Sequence, residues 1–214
     1  MKPGEVIIIG TSHISRKSVD EVTREILKQK PDVVALELDM HRAHALVTKP
    51  RSPGLKDIRR MGARGFLLAW LGYWLQQRLG KIAGIAPGSE MRAAMKAARQ
   101  TGARLAFIDQ DISLTMKRLS RELKWKERFK IVLGLFFGKK LKIDVEQPSS
   151  QSVRQIIAYL KKHYPALHRV LIEERNRYMA IRLAEISKSG MSVIAVVGRG
   201  HKDGLERLLK KELG

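Results

Sequence analysis

The chain has 214 residues, no cysteine and a formal net charge of +21. That length accommodates one sizeable domain with a buried core, and the lack of cysteine excludes disulfides and thiolate metal ligands. No run reaches the ~18 apolar residues of a transmembrane helix, and Met1-Lys2-Pro3-Gly4 leads straight into a strand rather than into a signal peptide.

Val6-Ile7-Ile8-Ile9 is apolar and β-branched, the pattern of a strand buried on both faces in a parallel sheet, so the first strand is expected over residues 5–9. It enters Gly10-Thr11-Ser12-His13, and residues 10–15 read as a turn. Ser18 with Glu21 has the form of a capping box for a helix that runs to about Lys30, where Pro31-Asp32 breaks it. Val33-Val34-Ala35-Leu36 is the second buried strand, followed by Glu37-Leu38-Asp39 and a helix from near Asp39 to about Val47. Parallel strands joined by a helix cross over right-handed, and this pair is expected to do so.

Residues 49–64 form a basic connection punctuated by Pro and Gly. Residues 65–83 read as a helix that is apolar over much of its circumference. It is expected to be buried in the core, with a homodimer contact or an element pressed against lipid as the alternatives. Ser89 is the expected N-cap of a helix to about residue 101, closed by Gly102. The third strand, over 104–108, ends at Asp109-Gln110-Asp111. Helices are expected at about 112–123 and 126–137, the second with an apolar cluster that, beside Lys139, Lys140 and Lys142, suits a membrane surface. Residues 138–150 read as a linker, and helices follow at about 151–163 and 166–188, with Gly190 as a C′ residue. The last strand, 192–197, enters Gly198-Arg199-Gly200-His201 and a basic terminal helix.

The expected fold is therefore α/β. A central, largely parallel or mixed sheet is flanked by helices in one domain, with helical insertions over about 54–85 and 112–165. Each Gly-x-x-His tetrapeptide follows a buried strand, so His13 and His201 stand at the carboxyl edge of the sheet, where ligands of open α/β sheets gather. Glu37 with Asp39, and Asp109, reach the same edge. Two imidazoles and a carboxylate suit a divalent metal with open coordination positions; Gly10 and Gly198 suit sharp turns and close approach. Simpler roles stand beside these: Glu37 as a helix cap, Asp109 as a turn residue, Glu90 as a complement to a helix dipole. His41 and His44, spaced three apart, suit a surface face more than a shared metal. His163 and His168 read as exposed, and Glu173, Glu174 and Arg175 as a solvated mid-helix charge run.

The charge is uneven: residues 1–50 carry 8 basic and 7 acidic residues, whereas residues 51–100 carry 10 and 2. A soluble, solvated surface is one reading; attraction to an anionic membrane surface is the other. No nucleic-acid-binding motif accompanies the charge, so nucleic acid is not an expected partner.

The sequence resembles the TraB/PrgY (pheromone-shutdown) family. The resemblance is carried by Ile8-Ile9-Gly10-Thr11-Ser12-His13-Ile14-Ser15, by Pro31 through Arg42, by Pro87-Gly88-Ser89-Glu90-Met91-Arg92, by Phe107 through Thr115, by Glu173 through Ala180, and by the terminal Gly-x-x-His. It spans about four-fifths of the chain. It implies kinship with the Tiki-type metalloproteases, with His13 and His201 as metal ligands and Glu37 as a ligand or the general base. Arg42, Glu90, Asp109, Glu174 and Arg175 would line the pocket. The implied cofactor is a divalent metal (Mn, Co or Zn) and the implied substrate a peptide or protein near a membrane; the alternative is a module that sequesters a peptide without cleaving it. A third reading is a basic adaptor for anionic membrane. Longer family members carry membrane-spanning segments after this domain. This chain stops at Gly214 without one, so it is expected to be soluble, on the cytoplasmic side. Gln110 stands where the family pattern has Arg, and Asn176 where it has Asp.

Overall fold

The computed structural model describes residues 1–11, 16–48, 88–123 and 150–214, with isolated positions at 58–59, 61–63, 65–66, 70 and 127. In chain order the elements are β1 (Val6–Thr11), α1 (Arg16–Gln29), β2 (Val33–Leu36), α2 (Met40–Val47), α3 (Ser89–Thr101), β3 (Arg104–Phe107), α4 (Ile112–Glu122) and α5 (Ser150–His163). There follow α6 (Pro165–His168), a π-helical turn (Arg169–Glu173), α7 (Glu174–Lys188), β4 (Val193–Gly198) and α8 (Arg199–Leu213).

The described strands form one sheet in the order β1-β4-β2-β3, with every pairing parallel. The sequence order explains which strands are central. The apolar runs of β2 and β4 are buried at every position, while β1 and β3, on the edges, are only partly covered. Side chains alternate across the sheet, as the period of two requires. Val34, Leu36, Ile194 and Val196 pack with Val22 and Ile26 of α1, Ala43 of α2 and Met91, Ala94 and Ala98 of α3. Val33, Ala35, Val193, Ala195 and Val197 pack on the opposite face with Met179 and Leu183 of α7 and Leu205 and Leu209 of α8. The expected α/β class is thus observed as three layers.

This arrangement positions the site. After β2 the chain turns to the α1–α3 layer; after the neighbouring β4 it turns to the α7–α8 layer. Adjacent strands that send their connections to opposite faces leave a crevice past their carboxyl ends, the topological switch point of a doubly wound sheet.

Several boundaries differ from expectation. Helix α1 begins at Arg16, so Ser18 lies buried within its first turn instead of capping it. Gly88, not Ser89, is the N-cap of α3. Its φ of +74° is left-handed, a conformation that favours glycine. β1 continues through Gly10, which makes no sharp turn, whereas Gly198 ends β4 and is the N-cap of α8. Gly10 instead permits a close approach, since a Cβ there would meet Lys202 Cδ at 3.0 Å. The apolar helix expected at 65–83, the helix at 126–137 and the linker lie largely outside the described residues. Among those described, no helix is long and apolar enough to cross a membrane.

Leu36 is fully buried in the central strand β2, so Leu36→Ala is expected to cost about 2–5 kcal/mol in chemical denaturation. Leu27→Ala, on the exposed side of α1, should stay within about 0.5 kcal/mol. Equal effects of the two would contradict the layering.

Candidate active site at the carboxyl edge of the sheet

Glu37 is the first residue past β2 and is 7% exposed. It does not cap α2; Asp39 does, accepting from Arg42 N at 2.8 Å. Glu37 reaches across the switch point instead, and its Oε2 accepts from Gly198 N at 2.6 Å, at the N-terminus of α8. The negative carboxylate thus meets the positive end of a helix dipole.

The other Glu37 oxygen meets Arg175. The Arg175 guanidinium donates from Nη2 to Glu37 Oε1 and, with Nε and Nη2, to Asp109 Oδ1 at 3.0 Å and Oδ2 at 2.6 Å. That two-pronged pairing is the geometry for which a planar guanidinium is shaped. Asp109, the second residue past β3, has its side chain fully buried. Arg42 Nη2 also donates to Asp109 Oδ2, and Arg42 Nε donates to Asp39 Oδ2 at 2.7 Å. Asp39 further accepts from Ile112 N at 3.2 Å. Among the described residues, three carboxylates therefore face two guanidiniums.

His201 completes the cluster and is buried. Its Nε2 lies 3.1 Å from Arg175 Nη1 and 3.3 Å from Glu37 Oε1. Nε2 thus lies between a donor, Arg175 Nη1, and an acceptor, Glu37 Oε1. Nδ1 lies 2.7 Å from Asn176 Oδ1, which holds the ring in this orientation.

The titration behaviour follows from these contacts. Burial pushes the Glu37 carboxyl up, but His201 and Arg175 outweigh it, and the group lies below the usual carboxylate range. Burial also pushes Asp109 up; the Arg175 hydrogen bond and charge, with Arg42, bring it down to about 2. Burial lowers both guanidiniums and their carboxylate partners raise them further, so Arg42 and Arg175 stay charged.

The predicted site residues divide. Glu37, Arg42, Asp109, Arg175 and His201 come together. Glu174 turns away, pairing with Arg118 of α4 at 2.8 and 2.9 Å. Glu90 is buried in the first turn of α3, where Ser89 Oγ donates to it at 3.4 Å. His13 lies outside the described residues; the register places Thr11, two residues earlier, beside Gly198. Arg175 corrects the solvated reading of its charge run: only 14% of its side chain is exposed. His168 is buried, not exposed, with Nδ1 3.4 Å from Glu173 Oε1. Asp39, expected at this edge beside Glu37, joins the cluster and also caps α2; Asn176 is not among the expected site residues. The signal for Asn176 was a buried imidazole's need for a partner at its second nitrogen.

A cleft of about 540 Å³ adjoins the cluster between α5, the π-helical turn and α8. Asn176 lines it and also touches His201, so it forms the wall between the two. Among the described residues no group of three His, Asp or Glu side chains is poised for a metal ion.

The sequence profile of the TraB/PrgY/gumN family matches residues 2–212. The chain belongs to this family. It is 35% identical over 215 residues to an uncharacterized protein of Methanocaldococcus jannaschii, covering 97% of this chain and 54% of that protein. It is 28% identical over 232 residues to a TraB domain-containing protein of Bos taurus and 27% over 233 residues to the one of Homo sapiens, in each case across 94% of this chain and 62% of the relative. The TraB-family chain therefore spans just over half of the length of these relatives.

Asp109 gives an expected pH dependence. Its folded value of about 2 lies below the ordinary 3.8, so its contribution is fully present above pH 3.8 and is lost as pH falls through about 2. The contribution is roughly 2 kcal/mol. Asp109→Asn, which leaves Arg42 and Arg175 short of a carboxylate, is expected to destabilise by about 3 kcal/mol at pH 7. The gap between wild type and variant in urea denaturation should narrow below pH 4; a constant gap would contradict the pairing.

Proposed function

We propose that this TraB-family chain is a metal-dependent hydrolase, acting as a peptidase on peptides or proteins at or near a membrane, with the reacting pair Glu37 and His201 at the switch point. The observation that carries the reading is the orientation of His201. Nδ1 lies 2.7 Å from Asn176 Oδ1, and Nε2 lies 3.3 Å from Glu37 Oε1. An imidazole whose far nitrogen is held by an amide is how metal-ligating histidines are supported.

The donor set suits a divalent metal in kind. His201 Nε2 and Glu37 Oε1 would hold it, with His13 as the third ligand that the paired Gly-x-x-His pattern supplies, as in Tiki-type proteases. When bound, such a metal lowers the pKa of its water and supplies hydroxide near neutral pH. Arg175 meets the same two atoms, so guanidinium and metal compete for them. Glu37, ionised at neutral pH, is the group able to take a proton from water. Asp109 and Arg42 hold Arg175 in place, and the apolar layers beneath exclude bulk water. The net charge of +21 supports attachment to an anionic membrane surface.

The alternative is a peptide-binding module that sequesters without cleavage. The cleft beyond Asn176 favours it, since it offers volume without involving the reacting pair.

The test is digestion of a peptide library with Mn²⁺, Co²⁺ or Zn²⁺ added separately, read by mass spectrometry, alongside elemental analysis. Cleavage is expected with at least one metal, and His201→Ala should lose both cleavage and bound metal. Binding of peptides with no cleavage and no metal uptake would instead establish the sequestering module.

A further inference from the structure

We propose that the cleft between α5, the π-helical turn and α8 binds a peptide rich in acidic side chains, with Asn176 Nδ2 donating to one carboxylate and the cations of α5 and α8 holding the others. The proposal rests on the reading above in taking a peptide as the ligand, and on neither cleavage nor a metal. The cleft holds about 540 Å³, within the range of ligand pockets. Val153 and Ile157 of α5 and Ile172 of the π-helical turn give it an apolar wall, against which the aliphatic parts of a peptide can pack.

Asn176 points to a ligand. Its side chain is buried at 4% exposure, and its Oδ1 lies 2.7 Å from His201 Nδ1. Its Nδ2 makes no hydrogen bond among the described residues, yet it is not sealed from solvent. Asn176 and Gly204 both line the cleft. A Cβ at Gly204 would lie 2.4 Å from Nδ2, so the missing methyl leaves that donor uncovered. An enclosed donor that the protein leaves without an acceptor is satisfied from outside, and a carboxylate forms the stronger, charge-assisted bond.

The walls select the sign of the ligand. Arg154 and Lys161 of α5 and Arg199, Lys202 and Arg207 of α8 line the cleft, against Glu21, Glu173 and Asp203. Two of those carboxylates have partners already: Asp203 lies 3.8 Å from Arg154, and Glu173 lies 3.4 Å from His168. Lys161 and Arg207 pair with no carboxylate among the described residues. They stand on different helices, so a ligand between them meets positive charge from both walls. Several cations match several carboxylates, which favours acidic side chains over a single chain terminus.

The experiment is fluorescence anisotropy of the full chain, without added metal, with a dansyl-labelled, C-terminally amidated hexapeptide of alternating Leu and Asp. It is run at about 0.15 M salt, where the field of the +21 chain is screened beyond ~8 Å. The counterpart with Asn for Asp is expected to bind about tenfold more weakly or worse. Lys161→Glu/Arg207→Glu should weaken the acidic peptide by about tenfold or more. Lys28→Glu/Lys188→Glu makes the same change in net charge at exposed positions of α1 and α7 outside the cleft, and should leave affinity within about twofold. Asn176→Leu, which keeps the size and removes the donor, should weaken binding about threefold or more. Equal losses in the two charge-reversal pairs would assign the binding to overall charge and overturn the proposal. So would an acidic peptide that does not bind, equal affinity for the two peptides, or full affinity in Asn176→Leu. If Asn176→Leu does not fold, the surface pairs decide alone. Cleavage of library peptides with no preference for acidic ones would overturn this proposal and leave the hydrolase reading standing. Binding of the acidic peptide with no cleavage under any metal would count against the hydrolase reading alone.

Discussion

One guanidinium holds the carboxyl edge of this sheet together. Glu37 leaves β2, Asp109 leaves β3 and His201 follows β4, so three separate connections bring polar groups to one buried place. Two ionised carboxylates there would repel each other and lose hydration. Arg175 satisfies both at once, with Arg42 as a second cation on Asp109. Removing either partner would leave a charge buried without compensation, a larger loss than the pair itself contributes. The cluster therefore behaves as one unit, and its geometry is set by an arginine on a helix far away in sequence.

The unit sits where the chain path changes sides of the sheet. The β2 connection goes to one layer and the β4 connection to the other, which opens the crevice. The Gly198 amide at the start of α8 completes the polar floor by donating to Glu37. The π-helical turn over Arg169–Glu173 immediately precedes Glu174 and Arg175. One extra residue in a helix rotates everything after it by about 100°. It sets the phase of α7, on which successive residues diverge by a similar angle, so Arg175 faces inward to the carboxylates and Glu174 outward to Arg118.

Much of this was legible in the sequence, for identifiable reasons. The β-branched runs at Val6, Val33 and Val193 have the pattern of buried strands, which places the polar residues directly after them at one edge of the sheet. Asp39 and Gly102 behaved as capping residues because their local chemistry suffices. Arg175, Asn176 and His168 were less legible. Helical phase decides whether such residues face solvent, and for Arg175 and Asn176 the π-turn just upstream alters that phase without a sequence signature. Ser18 failed as a cap because α1 starts two residues earlier, and Gly10 failed as a turn because β1 continues through it to pair with β4. The orientation of the His201 ring was beyond sequence reasoning, since it depends on one amide contributed by another helix.

The account stands on direct coupling between Glu37 and Arg175 across the switch point. A double-mutant cycle in urea denaturation, with Glu37→Gln, Arg175→Gln and both together, measures that coupling with no assumption about activity. The account predicts an interaction of about 1–3 kcal/mol, with the double variant less damaged than the sum of the single ones. Strictly additive losses would mean that the two groups do not meet, and the proposed centre would have no foundation.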